Sequence, residues 1–331
     1  MGKISIILKS ICVSAILCLT APSLAQNSVS PDAAPAQSSE DASAATDALV
    51  RQMSDDEIAN ELSNPVTTLR SIATDIQFRS FQGSLPDAGD KTSLIYLIKP
   101  SFPIPLSNGK NILLRATIPI YKDQPIWGLP TDHPLWVVDK DYAEFRIRQS
   151  PEITPTSGGF LPSHDHLADI SFDIAYGGVD DKGFISMFGI VGVLPVSQDI
   201  SASRDQFLLG PEVAFGKSGD WGVIGAWATH LTTISGNSFV NTNETSVKVF
   251  FSYRLGNGWQ FVANPEITYD WEAQSGEKLS LPIGGGISKT TRFGRIPLKL
   301  AFEIHNYIAS ADRFAPKWLL TFSITPVFGN P

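Results

Sequence analysis

Cysteine is all but missing from these 331 residues. Its two occurrences, Cys12 and Cys18, both fall in residues 1–25. That stretch carries Lys3 and Lys9, a short apolar run from Ile11 to Leu19, and a small-x-small cleavage signal at Ser23-Leu24-Ala25. It reads as a secretory leader, too short and wrongly flanked to be a membrane span. Leu17 before Cys18, with apolar sequence beyond it, does not suit a lipoprotein acceptor. The processed chain is therefore expected to carry no thiol, which excludes disulfides, thiolate nucleophiles and Cys-ligated metals.

Basic clusters are missing as well. Lys and Arg number 25 against 33 Asp and Glu, and losing Lys3 and Lys9 with the leader leaves 23 against 33, or −10. A mildly acidic chain without basic runs argues against nucleic acid as a partner. Long apolar runs are the third absence. Beyond the leader none could form a spanning helix, so membrane residence would have to come from strands. A mean hydropathy of +0.03 fits a wall that averages apolar and polar positions.

What is present is alternation. Residues 26–53, rich in Ala, Ser, Asp and Pro, read as a disordered linker. Residues 54–71 read as a short helix and lead-in, because Ser54 with Glu57 three residues on is a capping-box pattern and Asn64-Pro65 stops the helix. The sequence leaves open whether this helix rests below a barrel or enters it. Residues 72–328 then alternate apolar and polar in stretches of about ten residues, the period of a strand. Trp259, Phe261, Ala263, Pro265, Ile267, Tyr269 and Trp271 share one face, and Gln260, Asn264, Glu266 and Asp270 share the other.

Twelve such strands are expected, at 72–81, 92–102, 110–121, 167–177, 183–195, 206–216, 221–233, 245–254, 259–271, 278–290, 296–308 and 317–328. Gly-, Asn- and Asp-rich tight turns such as Gly256-Asn257-Gly258 alternate with longer connections, one of them running from 122 to 166. Short turns on one side and long loops on the other, with an even strand count, is the pattern of an outer-membrane barrel. The expectation is all-β: a transmembrane antiparallel β-barrel with a short N-terminal helix, lipid outside and water inside.

Aromatic positions follow the same map. Trp221 and Trp259 open strands after short turns, Tyr253 and Phe328 end strands at that rim, and Trp271 and Trp318 lie by the long loops. These would form two girdles at the lipid–water boundaries. The interior face would carry Arg115, Asp169, Asp173, Glu212, Lys248, Arg254, Glu266, Asp270, Lys299, Glu303 and His305. Two roles fit such mixed charge: a selectivity lining, or a network that braces the wall.

Covalent chemistry has little to stand on. His164-Asp165-His166 is the one local metal-like cluster, but three neighbouring loop residues do not converge on an ion without further ligands. His230 near Ser235, and His305, lack a nucleophile elbow. Gly284-Gly285-Gly286 is followed by no helix and so is not a phosphate loop. No cofactor, no metal and no enzymatic activity are expected.

Asn64-Pro65-Val66, Leu209-Gly210-Pro211, Gly219-Asp220-Trp221 and above all Ile267-Thr268-Tyr269-Asp270-Trp271-Glu272-Ala273 carry a resemblance. So do Leu281 to Lys289, Phe293-Gly294 and Pro316-Lys317-Trp318. Over most of the chain from Asn64 to Phe328 it resembles bacterial outer-membrane proteins of the phenol-degradation (meta-pathway) family, often labelled "transporter" or "neuromedin U". The resemblance implies an outer-membrane barrel, inserted by the barrel-assembly machinery into the lipid bilayer, that admits small hydrophobic or aromatic compounds. Two features depart from the pattern: the ending Phe328-Gly329-Asn330-Pro331 in place of a terminal aromatic, and the length of the 122–166 connection. The expected function is passive diffusion of small molecules, with the permeant unnamed. Its rivals are a plugged, non-conducting structural or adhesive barrel, and a barrel hydrolase.

Overall fold

The structure, a computed structural model, describes residues 50, 52–128, 159–160, 165–197, 203–236 and 241–328. The leader, residues 26–49, most of the 122–166 connection (with Trp136 and His164) and residues 329–331 lie outside the described residues.

Twelve long strands form one antiparallel sheet: β1 (Arg70–Gln82), β2 (Thr92–Pro105), β3 (Asn111–Lys122), β4 (Ile170–Val179), β5 (Phe184–Leu194), β6 (Gln206–Gly219), β7 (Gly222–Gly236), β8 (Asn243–Gly256), β9 (Trp259–Ala263 and Glu266–Asp270), β10 (Leu279–Phe293), β11 (Ile296–Ala309) and β12 (Ala315–Phe328). Each pairs with its neighbours in sequence, and β12 returns to β1 from Arg70↔Phe328 to Gln82↔Ala315. The barrel is thereby closed, which removes every unpaired sheet edge. No described helix is long and apolar enough to cross a membrane.

Strand ends move by a few residues from the sequence reading, and β9 differs in kind. Alternation predicts one unbroken strand over 259–271, yet β9 lacks ladder pairs at Asn264 and Pro265. Its register against β8 is unbroken, with Phe251↔Ala263 on one side of the interruption and Lys248↔Glu266 on the other. Pro265 has no N–H to give the ladder.

The two faces of the wall separate by residue type. Phe188, Phe215, Ile224, Phe261, Ile283, Phe302, Ile304 and Phe322 are exposed on the outside. Their neighbours along each strand point inward, and there the interior divides. Leu113, Ala175, Ile185, Met187, Ala214, Val223 and Phe250, from β3 to β8, are buried against Val66 of the lead-in. Phe250 lies over two glycines: a Cβ on Gly225 would come 2.3 Å from its ring, and one on Gly216 would come 2.9 Å away. Burying each large side chain of this kind contributes about 1.5–3 kcal/mol. From β9 round to β2, inward residues such as Gln260, Ser288, Thr290, Lys299, Glu303, His305 and Asp75 are buried and polar.

Ahead of β1 stands α1 (Asp55–Glu61), whose N-cap is the capping box that the sequence announces. The Ser54 N–H donates to Glu57 Oε2 at 2.6 Å, and the Glu57 N–H returns to Ser54 Oγ at 3.2 Å. Those bonds hold the exposed Glu57 carboxyl below its usual range.

Candidate functional site: the barrel interior and its lead-in

The lead-in lies against the inner wall of the barrel. Asn60 Nδ2 donates to Ser218 Oγ and the Gly219 carbonyl of β6, both at 3.3 Å. Ser63 Oγ donates to Gln260 of β9 at 3.2 Å, and Lys299 Nζ of β11 donates to Ser63 Oγ at 2.7 Å. Asp56 accepts the Gly258 N–H, and Arg292 of β10 donates to the Val50 and Met53 carbonyls. Arg115 of β3 donates to the Pro65 carbonyl at 2.8 Å, and Leu69 packs with Ile58 and Val327 of β12. A segment that touches β3, β6, β9, β10, β11 and β12 lies across the short-turn mouth of the barrel. It is a plug.

Two side chains shape the plug locally. Asn64 Oδ1 accepts the Val66 N–H at 3.1 Å, the turn that ends α1 and aims Val66 at the apolar cluster. Burial pushes the Glu61 carboxyl above its usual value, against hydrogen bonds from the Thr68 backbone and the Asn64 side chain.

The expected interior charges sort into two groups. Arg115, Asp173 and Glu212 form one: Arg115 Nε donates to Asp173 Oδ2 at 2.7 Å, and its other nitrogen lies 3.5 Å from Glu212 Oε1. Trp227 Nε1 donates to Glu212 Oε2 at 2.9 Å, and the Arg115 guanidinium lies 4.2 Å from the Trp227 ring centre. This cluster is enclosed by the apolar half and by the plug. It braces the wall and holds Pro65.

The second group lines the polar half. Asp75 pairs with Lys99 and accepts Ser323 Oγ at 2.7 Å. Lys248 lies within electrostatic reach of Lys99, Asp75, Glu266 and Glu303. Glu303 accepts the Asn264 backbone and amide N–H groups at 2.9 and 2.7 Å, and His305 Nε2 is 3.6 Å from it. Glu266 stands opposite Lys248 in register. Lys299 belongs to the plug contacts. Asp270, expected among the lining charges, instead accepts the Glu272 and Ala273 N–H groups at 2.9 and 3.2 Å and shapes the turn after β9. Asp169, just before β4, similarly gathers Ser203 and the Ser197 and Arg204 N–H groups at the loop end, and burial raises its carboxyl.

Sequence reasoning missed Asp75 and Lys99, on β1 and β2. Ser71, Asp75, Gln77 and Arg79 alternate with Ile72, Ile76 and Phe78 and would have marked the inner face. It also missed every lead-in contact, since nothing local to 54–69 names a partner some two hundred residues away.

The six girdle aromatics, Trp221, Tyr253, Trp259, Trp271, Trp318 and Phe328, are each exposed, at 39–51%. At the long-loop mouth Trp127–Gly128 pairs with Gly159–Phe160. The Phe160 ring packs on Trp127 (5.1 Å) and on Phe314 (5.0 Å), which stacks on Phe81 at 4.7 Å. Both ends of the 122–166 connection are thus seated over the rim near β1 and β12. Asp165 pairs with Lys122, and His166 sits edge-on to Tyr121. His230 Nδ1 lies 2.9 Å from Thr245 Oγ1, not beside Ser235.

The chain matches no family model and no curated protein in sequence. Solved structures do resemble it. The COG4313 outer membrane channel from Pseudomonas putida F1 aligns with a TM-score of 0.54 at 8% identity, over 80% of this chain and 98% of that one. This likeness shows the fold. The outer membrane phospholipase A from Escherichia coli (TM-score 0.38, 10% identity, 86% and 98% covered) and the Ralstonia pickettii toluene transporter TbuX (0.40, 11%, 82% and 93%) align more weakly and carry no weight here.

Proposed function

We propose that this chain is a channel of the Gram-negative outer membrane through which small molecules, hydrophobic or aromatic compounds among them, diffuse passively. The observation that carries the reading is the pairing of an exposed apolar outer band with a charged interior half of Asp75, Lys99, Lys248, Glu266, Glu303 and His305. Hydrocarbon accepts the first; only water or a polar solute accepts the second. Trp221, Tyr253, Trp259 and Phe328 at one rim, and Trp271 and Trp318 at the other, then mark the two lipid–water boundaries. The likeness in fold to the COG4313 channel supports the same reading. The reaction is transfer without a covalent step.

The plug favours a resting state that is closed, because every lead-in anchor lies on the wall at one mouth. Conductance therefore requires the plug to shift. Reconstitution tests this: liposome swelling with sugars and with aromatic acids, and single-channel recording in planar bilayers, on the full chain and on a variant lacking residues 54–68. Permeation that rises when the plug is removed is expected. A barrel that stays impermeable even without its plug would leave the structural or adhesive role as the better reading.

A further inference from the structure

The long-loop mouth holds a cavity of about 830 Å³, set apart from the plug and from the interior charges. It lies among the end of β1 with Gly83, the connection from Tyr269 to Leu279, and the connection from Ile308 to Asp312. Short contacts tie these segments together. The Ser84 and Leu85 N–H groups donate to the Asp312 and Arg313 carbonyls at 3.0 and 3.1 Å, and the Arg313 N–H donates to Glu277 Oε1 at 3.1 Å. Gln82 Nε2 donates to Ser310 Oγ at 3.1 Å. Gly83, at φ +146°, approaches so closely that a Cβ there would stand 2.1 Å from the Arg313 carbonyl oxygen. In β11, Leu281 pairs with Ala309 and Pro282 with Tyr307, which makes Ile308 the extra residue of a β-bulge. A bowl braced at so many points holds its shape before any ligand arrives.

The lining combines an apolar surface with uncommitted polar groups. Tyr269, Leu279 and Ile308 supply the first, and the Tyr269 ring is steadied edge-on by Trp271 at 4.6 Å. Lys278 Nζ donates to the Trp271 carbonyl at 2.8 Å, which leaves two of its three N–H groups for a ligand. The Asp312 carboxylate and the Ser275 hydroxyl have no hydrogen-bond partner among the described residues. Gln82 Oε1 and the Ser310 O–H are free as well, since their mutual bond uses the other atom of each group. One ammonium and one carboxylate cancel, so the cavity favours neither an anion nor a cation. Hydroxyls that both donate and accept, on a body with an apolar face, satisfy such a lining.

We propose that this cavity binds a neutral sugar unit. The C–H face of the sugar ring rests on Tyr269, Leu279 and Ile308, while neighbouring hydroxyls donate to Asp312 and accept from Lys278. Leu279 and Ile308 are 39% and 58% exposed at the lipid boundary, so the sugar is either free in solution or the headgroup of a glycolipid in the adjoining leaflet. Sugar capture here needs no passage through the barrel and so goes beyond the permeation reading.

Tryptophan fluorescence tests the site, because Trp271 packs against Tyr269 in its wall. The full chain, purified in the sugar-free detergent lauryldimethylamine oxide, is titrated with maltose and, separately, with dodecyl maltoside added to the micelles. A saturable change is expected with one probe or both. A response to both marks a free sugar as ligand, and a response to dodecyl maltoside alone marks a glycolipid headgroup. Asp312→Asn should weaken binding about tenfold by removing a charged acceptor. Ala311→Trp, which fills the cavity, should abolish it, and Asp220→Asn at the short-turn rim should leave it unchanged. No saturable response to either probe overturns the sugar site, as does a response that Asp312→Asn leaves intact. Saturation by glycine in place of maltose overturns the class of ligand, since glycine matches the two charges and carries no alcohol hydroxyl. None of these outcomes bears on whether the barrel conducts.

Discussion

The two halves of the barrel interior are built on opposite principles. From β3 to β8 an inward cluster of Leu113, Ala175, Ile185, Met187, Ala214, Val223 and Phe250 closes over Val66, beside the enclosed Arg115, Asp173 and Glu212. From β9 through β12 to β2 the inward residues are Gln, Ser, Thr, Lys, Glu, His and Asp, held by hydrogen bonds and ion pairs. Packing fixes the first half. The second has polar groups whose partners a solute or water can exchange, so it is the side along which movement costs least. The plug binds to both, through Val66 on one side and through Ser63 and Arg292 on the other.

Breaking that contrast should be most damaging in the packed half. Arg115→Met leaves Asp173 and Glu212 enclosed without their cation, and should cost about 3–5 kcal/mol of stability in chemical unfolding from detergent. A loss near zero would mean that water reaches these carboxylates and that the half is not dry. Gly225→Ala drives a methyl into both the Phe250 ring and the Phe215 carbonyl and should cost about 1–3 kcal/mol, only part of it recovered in the double variant with Phe250→Leu. In the polar half, Glu266→Lys should barely alter unfolding. It should move the reversal potential of the plug-free barrel toward anions, whereas Glu212→Gln should not. The smallest effect belongs to Glu61. Its carboxyl is raised by burial, so the docked plug favours the protonated form. Docking should weaken as pH rises from the ordinary carboxylate range through the raised value, and strengthen below it. Glu61→Gln should flatten that dependence of channel opening on pH.

The sequence announced the outer face and the strand count plainly, because a period of two needs only neighbours along one chain. It announced the α1 cap for the same reason. It was poorer on the interior. Phe250 and Met187 occupy positions that alternation marks as inward, but whether an inward residue meets water or a packed neighbour depends on strands far away in sequence. Lys299 shows the limit: its position on the inner face was legible, while its partner Ser63 was not. Pro265 and Pro282 were visible as residues without an N–H.

The closing strand pair and the plug together impose an order on biogenesis. Ser63 meets Lys299, 236 residues further on, and the Val50 carbonyl meets Arg292, 242 residues further on. Neither partner exists until the last hairpins have been made, and loop-closure entropy delays contacts so distant along the chain. An unfinished barrel therefore leaves the lead-in loose, and a finished one covers it. Seating of the helix doubles as a certificate of completion, written by the lead-in and countersigned by the final strands.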